Sequence, residues 1–104
     1  MKKYNILITK PAENDLREIG EYIANELREP FIAQNTVVSI AAAIEKLEKI
    51  PLRNALVLDE ELAHKGFRKL LVDNYIIFYL VSEIHETVTI IRILYGKRDW
   101  KNLL

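Results

Sequence analysis

The stretch Gly66 to Trp100, GFRKLLVDNYIIFYLVSEIHETVTIIRILYGKRDW, decides the fold. Three runs rich in β-branched and aromatic residues follow one another in it: Phe67 to Val72, Tyr75 to Val81 and Thr87 to Tyr95. Each has the length and composition of a strand. Only Asp73-Asn74 separates the first two runs, and both residue types tolerate the positive φ that a two-residue hairpin turn demands. The last two are separated by Ser82 to Glu86, a polar stretch long enough for a second hairpin. The whole reads as an antiparallel meander. In its middle strand Tyr75, Ile77, Tyr79 and Val81 alternate with Ile76, Phe78 and Leu80, so both faces are apolar. One helical layer covers only one face. The other calls for the chain's own loop 52–65 and C-terminal segment, for a partner, or for an exposed apolar patch of the kind that marks an interaction site.

Upstream, Tyr4, Ile6 and Ile8 alternate with Asn5, Leu7 and Thr9, which fits a short strand that needs an edge of the meander to pair with. Lys10-Pro11 marks a helix start, because proline in the first turn loses only a donor that would be orphaned there. Ala12, Leu16, Ile19, Ile23 and Leu27 then recur at intervals of three and four and form an apolar stripe; Asp15, Glu18, Glu21, Asn25 and Glu26 occupy the opposite, solvent face. Arg28 to Pro30 reads as a turn. A second helix runs from about Phe31 to Ile50, with the stripe Ala33, Val37, Ile40, Ala41, Ile44 and Leu47, and Pro51 stops it. Leu56-Val57-Leu58 reads either as a short strand or as a packed loop, and Asp59-Glu60-Glu61 as an acidic knot before the sheet. Gly66 supplies the positive φ where that loop turns into the first meander strand. Lys97 to Leu104 has room for one helical turn. The expected architecture is a single α+β domain spanning 1–104, in the order β-α-α-β-β-β, with a two-helix antiparallel hairpin on one face of the sheet.

Composition narrows the function classes. There is no cysteine, so disulfide scaffolds and thiolate metal sites are excluded, and a reducing compartment fits. The N-terminus lacks the apolar core of a signal peptide, and no run approaches the roughly 18 apolar residues of a membrane span, so a cytoplasmic protein with no membrane partner is the default. Fifteen Lys and Arg balance fifteen Asp and Glu, which removes the overall basic field that drives non-specific nucleic-acid binding. Gly20, Gly66 and Gly96 lie too far apart for a phosphate-cradling loop, and Ser39 and Ser82 suggest no serine triad. His64 and His85 belong to no metal-ligand spacing, so neither metal nor cofactor is implied. The remaining polar candidates are Arg68 and Lys69 on the first meander strand, Arg92 on the last, and Lys97-Arg98 just after it. Val88, Ile90 and Leu94 share a strand face with Arg92, so its guanidinium must snorkel or pair, with Glu60, Glu61 or Asp73 as the expected partner. Trp100, near the terminus, reads as a plug that packs down.

The run G-F-R-K-L-L-V-D-N-Y-I-I-F-Y-L-V, followed by I-R-I-L-Y-G-K-R-D-W, resembles the end of RelE/ParE-family toxins of type II toxin–antitoxin modules, also called plasmid stabilisation proteins. The upstream D-E-E-L-A-H-K-G and the opening Y-x-I-x-x-T-x-x-A-x-x-D-L-x-x-I-x-x-Y-I resemble the same family, so the likeness spans nearly the whole chain in order. It implies a helical hairpin on a twisted antiparallel sheet and a cognate antitoxin that binds across helices and sheet, on the second apolar face. The family has two mechanisms. The RelE branch cleaves messenger RNA on the ribosome, work that needs cations plus an acid or base around a charged phosphorane. Its members place an arginine after the aromatic that opens the middle strand and a tyrosine or histidine near the C-terminus. This chain has Ile76 after Tyr75 and ends Asn102-Leu103-Leu104. Lys69 and Arg98 fall where that branch uses cations; Arg68 and His64 complete the candidate set for a diverged ribonuclease. The ParE branch inhibits DNA gyrase by binding it. The resemblance favours that branch, with Lys97, Arg98 and Trp100 as the expected target-binding residues.

Overall fold

A computed structural model describes residues 3–96 and 100–104. Its four-stranded sheet has the order β1-β4-β3-β2. The strands are β1 (Asn5–Ile8), β2 (Arg68–Val72), β3 (Tyr75–Ser82) and β4 (Thr87–Tyr95). The last three form the expected antiparallel meander, and β1 adds to its β4 edge in parallel, with Ile6 opposite Val88. Between β1 and β2 come α1 (Lys10–Glu21), a π-helical turn (Tyr22–Glu26), α2 (Pro30–Lys46), a 3-10 turn (Pro51–Arg53) and α3 (Glu60–His64). A 3-10 turn at Lys101–Leu103 is the short terminal helix that the sequence left room for. The hairpin turns use positive φ at Asp73 (52°) and Glu86 (51°), and Gly66 adopts φ 92° at the entry to β2.

Two apolar layers flank the sheet. On the helical side Ala12, Ile40, Ile44 and Leu47 pack with Ile77, Tyr79, Val88, Ile90 and Ile93. Each fully buried aliphatic side chain there is worth roughly 1.5–3 kcal/mol, far more than helix propensity contributes. The hairpin closes tightly at Gly20, where a Cβ would stand 3.2 Å from Val37 Cγ2. The second face is covered by the chain itself: Val57, Leu62 and Phe67 from the loop region, and Trp100, Leu103 and Leu104 from the C-terminus, pack around Phe78 and Leu94. The antitoxin expected on this face is therefore replaced by the chain's own segments. Trp100 is the plug the sequence suggested, its ring 4.9 Å from that of Phe78.

Several helical expectations are corrected. The stripe of the first helix does not continue to Leu27: the π-helical turn adds a residue to the helical period and rotates Leu27 outward, leaving it 52% exposed. Pro30 does not belong to the turn but opens α2 as its first residue, where its missing N–H costs nothing. That helix ends at Lys46, before Ile50, and Ala43 rather than Ala41 faces the core. The acidic knot is a helix start, with the Asp59 carboxylate accepting from the Leu62 N–H at 3.1 Å. Leu56 makes only an isolated antiparallel bridge to Arg68.

The largest correction concerns Asp15, which is buried rather than solvated. A bulge in β4 explains it. Phe78 pairs with Arg92 and Tyr79 with Ile90, so Ile91 is the extra residue. Beyond it the side-chain alternation reverses, and Arg92 no longer shares a face with Val88 and Ile90. Because β1 ends at Ile8, the β4 backbone past Ile90 has no strand neighbour on that side, and the start of α1 supplies one. The Thr9 hydroxyl donates to the Ile91 carbonyl at 2.9 Å while accepting from the Ala12 N–H at 3.2 Å. Asp15 Oδ2 accepts the Ile93 N–H at 3.0 Å. Arg92 then pairs with Asp15, not with Glu60, Glu61 or Asp73.

Candidate functional site

Among the described residues, Arg68, Lys69 and His64 do not converge on one site. Arg68 and Lys69 are adjacent on β2, so their side chains leave opposite faces of the sheet. Arg68 opposes Tyr79 on the helical side, and its guanidinium donates to the Asn54 carbonyl at 2.6 Å, tying the loop to the strand. It also borders a shallow hollow of about 510 Å³ with Leu52, Leu56, Val81 and Ile84. Lys69 opposes Phe78 on the other side. His64 is exposed at the end of α3. Arg98 and Lys97 lie outside the described residues. No group of three or more His, Cys, Asp or Glu side chains able to hold a metal ion occurs among the described residues. The Ile76 side chain packs against the Phe78 and Leu94 cluster.

A separate feature lies at the other end of the sheet. Between the tip of the helical hairpin and the turn end of the meander runs an open groove of about 1040 Å³. β1 is only four residues long, so β4 extends beyond the cover of its neighbour there, and the π-helical turn sends Leu27 outward. One wall carries Glu18, Ile19, Tyr22, Leu27 and Ile32; the other carries Asp73, Tyr75 and Tyr95. The Tyr75 and Tyr95 rings meet edge to face with centroids 5.9 Å apart. Burial, and after it the neighbouring phenols of Tyr95 and Tyr22, raises the Tyr75 hydroxyl above its ordinary pKa of 10.0. Tyr22, Leu27 and Ile32 are each more than half exposed on this rim. The residues of this groove were not legible as a site in the sequence: Tyr22 lies off the apolar stripe, and about forty residues separate Ile32 on one wall from Asp73 on the other. No helix among the described residues is long and apolar enough to cross a membrane.

Solved toxin structures share this architecture. The chromosomal ParDE toxin–antitoxin system from P. aeruginosa superposes with a TM-score of 0.75 over 93% of this chain and 100% of that one, at 20% identity. A mutant of the E. coli toxin RelE in the free state gives 0.65 over 91% and 85%, at 13% identity. At 26% identity, the toxin–antitoxin complex RelBE2 from Mycobacterium tuberculosis gives 0.65 over 91% and 93%. No curated protein matches the sequence. The fold is thus that of the small α+β toxins of type II toxin–antitoxin systems. The family model for the ParE toxin of the type II toxin–antitoxin system parDE matches residues 6–100, and the chain belongs to that family.

Proposed function

We propose that this toxin acts by binding DNA gyrase rather than by cleaving RNA, and that a cognate antitoxin holds it inactive. The observation that carries the choice is Ile76. Where the resemblance places an arginine in the ribonuclease branch, this chain has a side chain built into the apolar cluster around Phe78 and Leu94. An arginine there would leave its charge over packed hydrocarbon, an expensive arrangement without a partner. The other branch-defining position agrees: the C-terminus gives Leu103 and Leu104 to the same cluster instead of a tyrosine or histidine. Arg68, one of the two strand cations in the candidate set, is bound to the Asn54 carbonyl. Membership of the ParE family over residues 6–100 favours the gyrase branch as well. The antitoxin follows from the paired systems among the structural relatives, ParDE and RelBE2. We assign target contact to Lys97, Arg98 and Trp100, the last of which also packs on Phe78.

The test uses purified toxin in two assays. Added to a gyrase supercoiling reaction, it blocks supercoiling; added to a translating extract read by primer extension, it leaves messages uncut. Codon-linked cuts with undisturbed supercoiling would reverse the proposal and make the protein a ribosome-dependent endoribonuclease.

A further inference from the structure

The outer face of α2 is not built like a solvated one. Surface helices place charged and polar side chains opposite their core stripe. From Pro30 to Ile44 the sequence carries no charged residue at all. The buried stripe of α2 is Ala33, Ile40 and Ile44. At 3.6 residues per turn, Phe31, Asn35, Val38 and Ala42 run along the opposite side of the helix, and all four are exposed. Phe31 is 81% exposed and Val38 58%. None of the four lines the groove between the hairpin and the sheet. Their alternation of four-, three- and four-residue steps is the seam of a helix that pairs with another helix, and a single polar residue in such a seam sets the register of the pair.

The seam is complementary to its own reverse. A second α2 laid antiparallel, about a two-fold axis between Thr36 and Val37, sets Phe31 opposite the partner's Ala42, so the largest side chain of the seam meets the smallest. Asn35 then faces the partner's Val38. The same arrangement brings Arg28, exposed just before the helix, level with the partner's Glu45, exposed near its end. Opposite charges meet at both ends of the pair, and the two helix dipoles run in opposite directions. A parallel pair would instead stack Phe31 on Phe31 and Glu45 on Glu45.

We infer that the outer face of α2 is a self-association surface, through which two copies of this chain pair antiparallel along Phe31, Asn35, Val38 and Ala42, with Arg28 of each copy against Glu45 of the other. Shape and charge together select a second copy as the occupant. The contact is isologous, so it closes at two and does not propagate. A helix of 17 residues is about 25 Å long, and one such pair offers less area than a standard interface. The dimer therefore belongs to the weak, reversible class, with a dissociation constant in the micromolar range. The inference stands apart from the choice between gyrase and RNA as target.

The experiment is sedimentation velocity on the purified toxin at concentrations spanning the micromolar range. Wild type is expected to pass from monomer to dimer and no further. Phe31→Ser removes the large side chain of the seam, and Ala42→Glu sets a charge where the partner's ring should lie. Both positions are exposed, and unchanged melting temperatures verify folding. Each variant is expected to weaken the dimer roughly tenfold or more. Arg28→Glu and Glu45→Arg are each expected to weaken it roughly fivefold, and their combination in one chain to restore it, because the exchanged charges meet again only in the antiparallel register. Leu71→Ser, at an exposed leucine on β2, leaves association unchanged. A toxin that stays monomeric throughout overturns the inference. A dimer that Phe31→Ser and Ala42→Glu leave intact places the contact elsewhere and overturns it too. Charge variants without mutual rescue overturn the antiparallel register on which it rests. Variants that weaken an antitoxin complex, with the free toxin always monomeric, give this face to the antitoxin and overturn the inference as well.

Discussion

Arg92 and Asp15 form a two-pronged ion pair, Nε to Oδ2 at 2.6 Å and the terminal Nη2 to Oδ1 at 2.7 Å, across 77 residues of sequence. Asp15 Oδ2 accepts a third hydrogen bond from the Ile93 N–H, and Arg92 Nη1 reaches the Leu103 carbonyl at 3.1 Å. One pair thus joins α1, the bulge of β4 and the C-terminal segment. The hydrogen bonds to Asp15 hold the guanidinium above its ordinary pKa, so it stays charged throughout the accessible range.

Truncating Asp15 leaves a largely desolvated cation and an orphaned backbone donor. Asp15→Ala is therefore expected to cost about 3–5 kcal/mol, measured as a fall in the urea midpoint. The double change Asp15→Leu with Arg92→Met removes both charges and is expected to recover much of that loss. A double variant no more stable than Asp15→Ala would contradict the role given to the pair.

Thr9 works at the same junction, as helix cap and as partner of the bulge carbonyl. Thr9→Ala is expected to destabilise the protein by about 1–2 kcal/mol, whereas Thr9→Ser, which keeps the hydroxyl, stays close to wild type. Thermal unfolding of the two variants side by side is sufficient.

The Tyr79 hydroxyl is buried and donates to the Pro51 carbonyl at 2.6 Å. Burial is the main cause raising its pKa above 10.0 in the folded state. A raised phenol holds its proton in the native state while the unfolded chain releases it, so its contribution is fully present below pH 10 and is lost as pH rises through the folded value. Denaturant midpoints are expected to fall above that pH. Tyr79→Phe is expected to cost about 1–2 kcal/mol at neutral pH by orphaning the carbonyl, and to reduce the alkaline fall.

Arg68 offers a functional contrast. Arg68→Ala is expected to loosen the 52–56 loop, seen as faster amide exchange at Lys69 and Val57, while growth inhibition persists. Loss of toxicity with unchanged loop protection would move Arg68 from a structural to a chemical role.

The sequence by itself determined the meander, the helical hairpin and the family, because alternation over Phe67 to Tyr95, proline at the start of α1 and Gly66 are local signals that packing did not override, whereas Pro30 read as part of the turn and instead opens α2. It also marked Ile76, whose meaning lies in its identity. What only the tertiary structure decided is everything that depends on register. The bulge at Ile91 reverses side-chain alternation after one residue, so the strand face of Arg92 could not be read by counting in twos. The π-helical turn does the same to the helical period and turns Leu27 outward. Asp15 looks like a solvent-face residue on a helical wheel. It is buried because the short β1 leaves the edge of β4 in need of hydrogen-bond partners, a requirement that exists only once strand and helix are side by side. The groove has the same origin, since Tyr22, Tyr75 and Tyr95 line one hollow only when the hairpin crosses the end of the sheet.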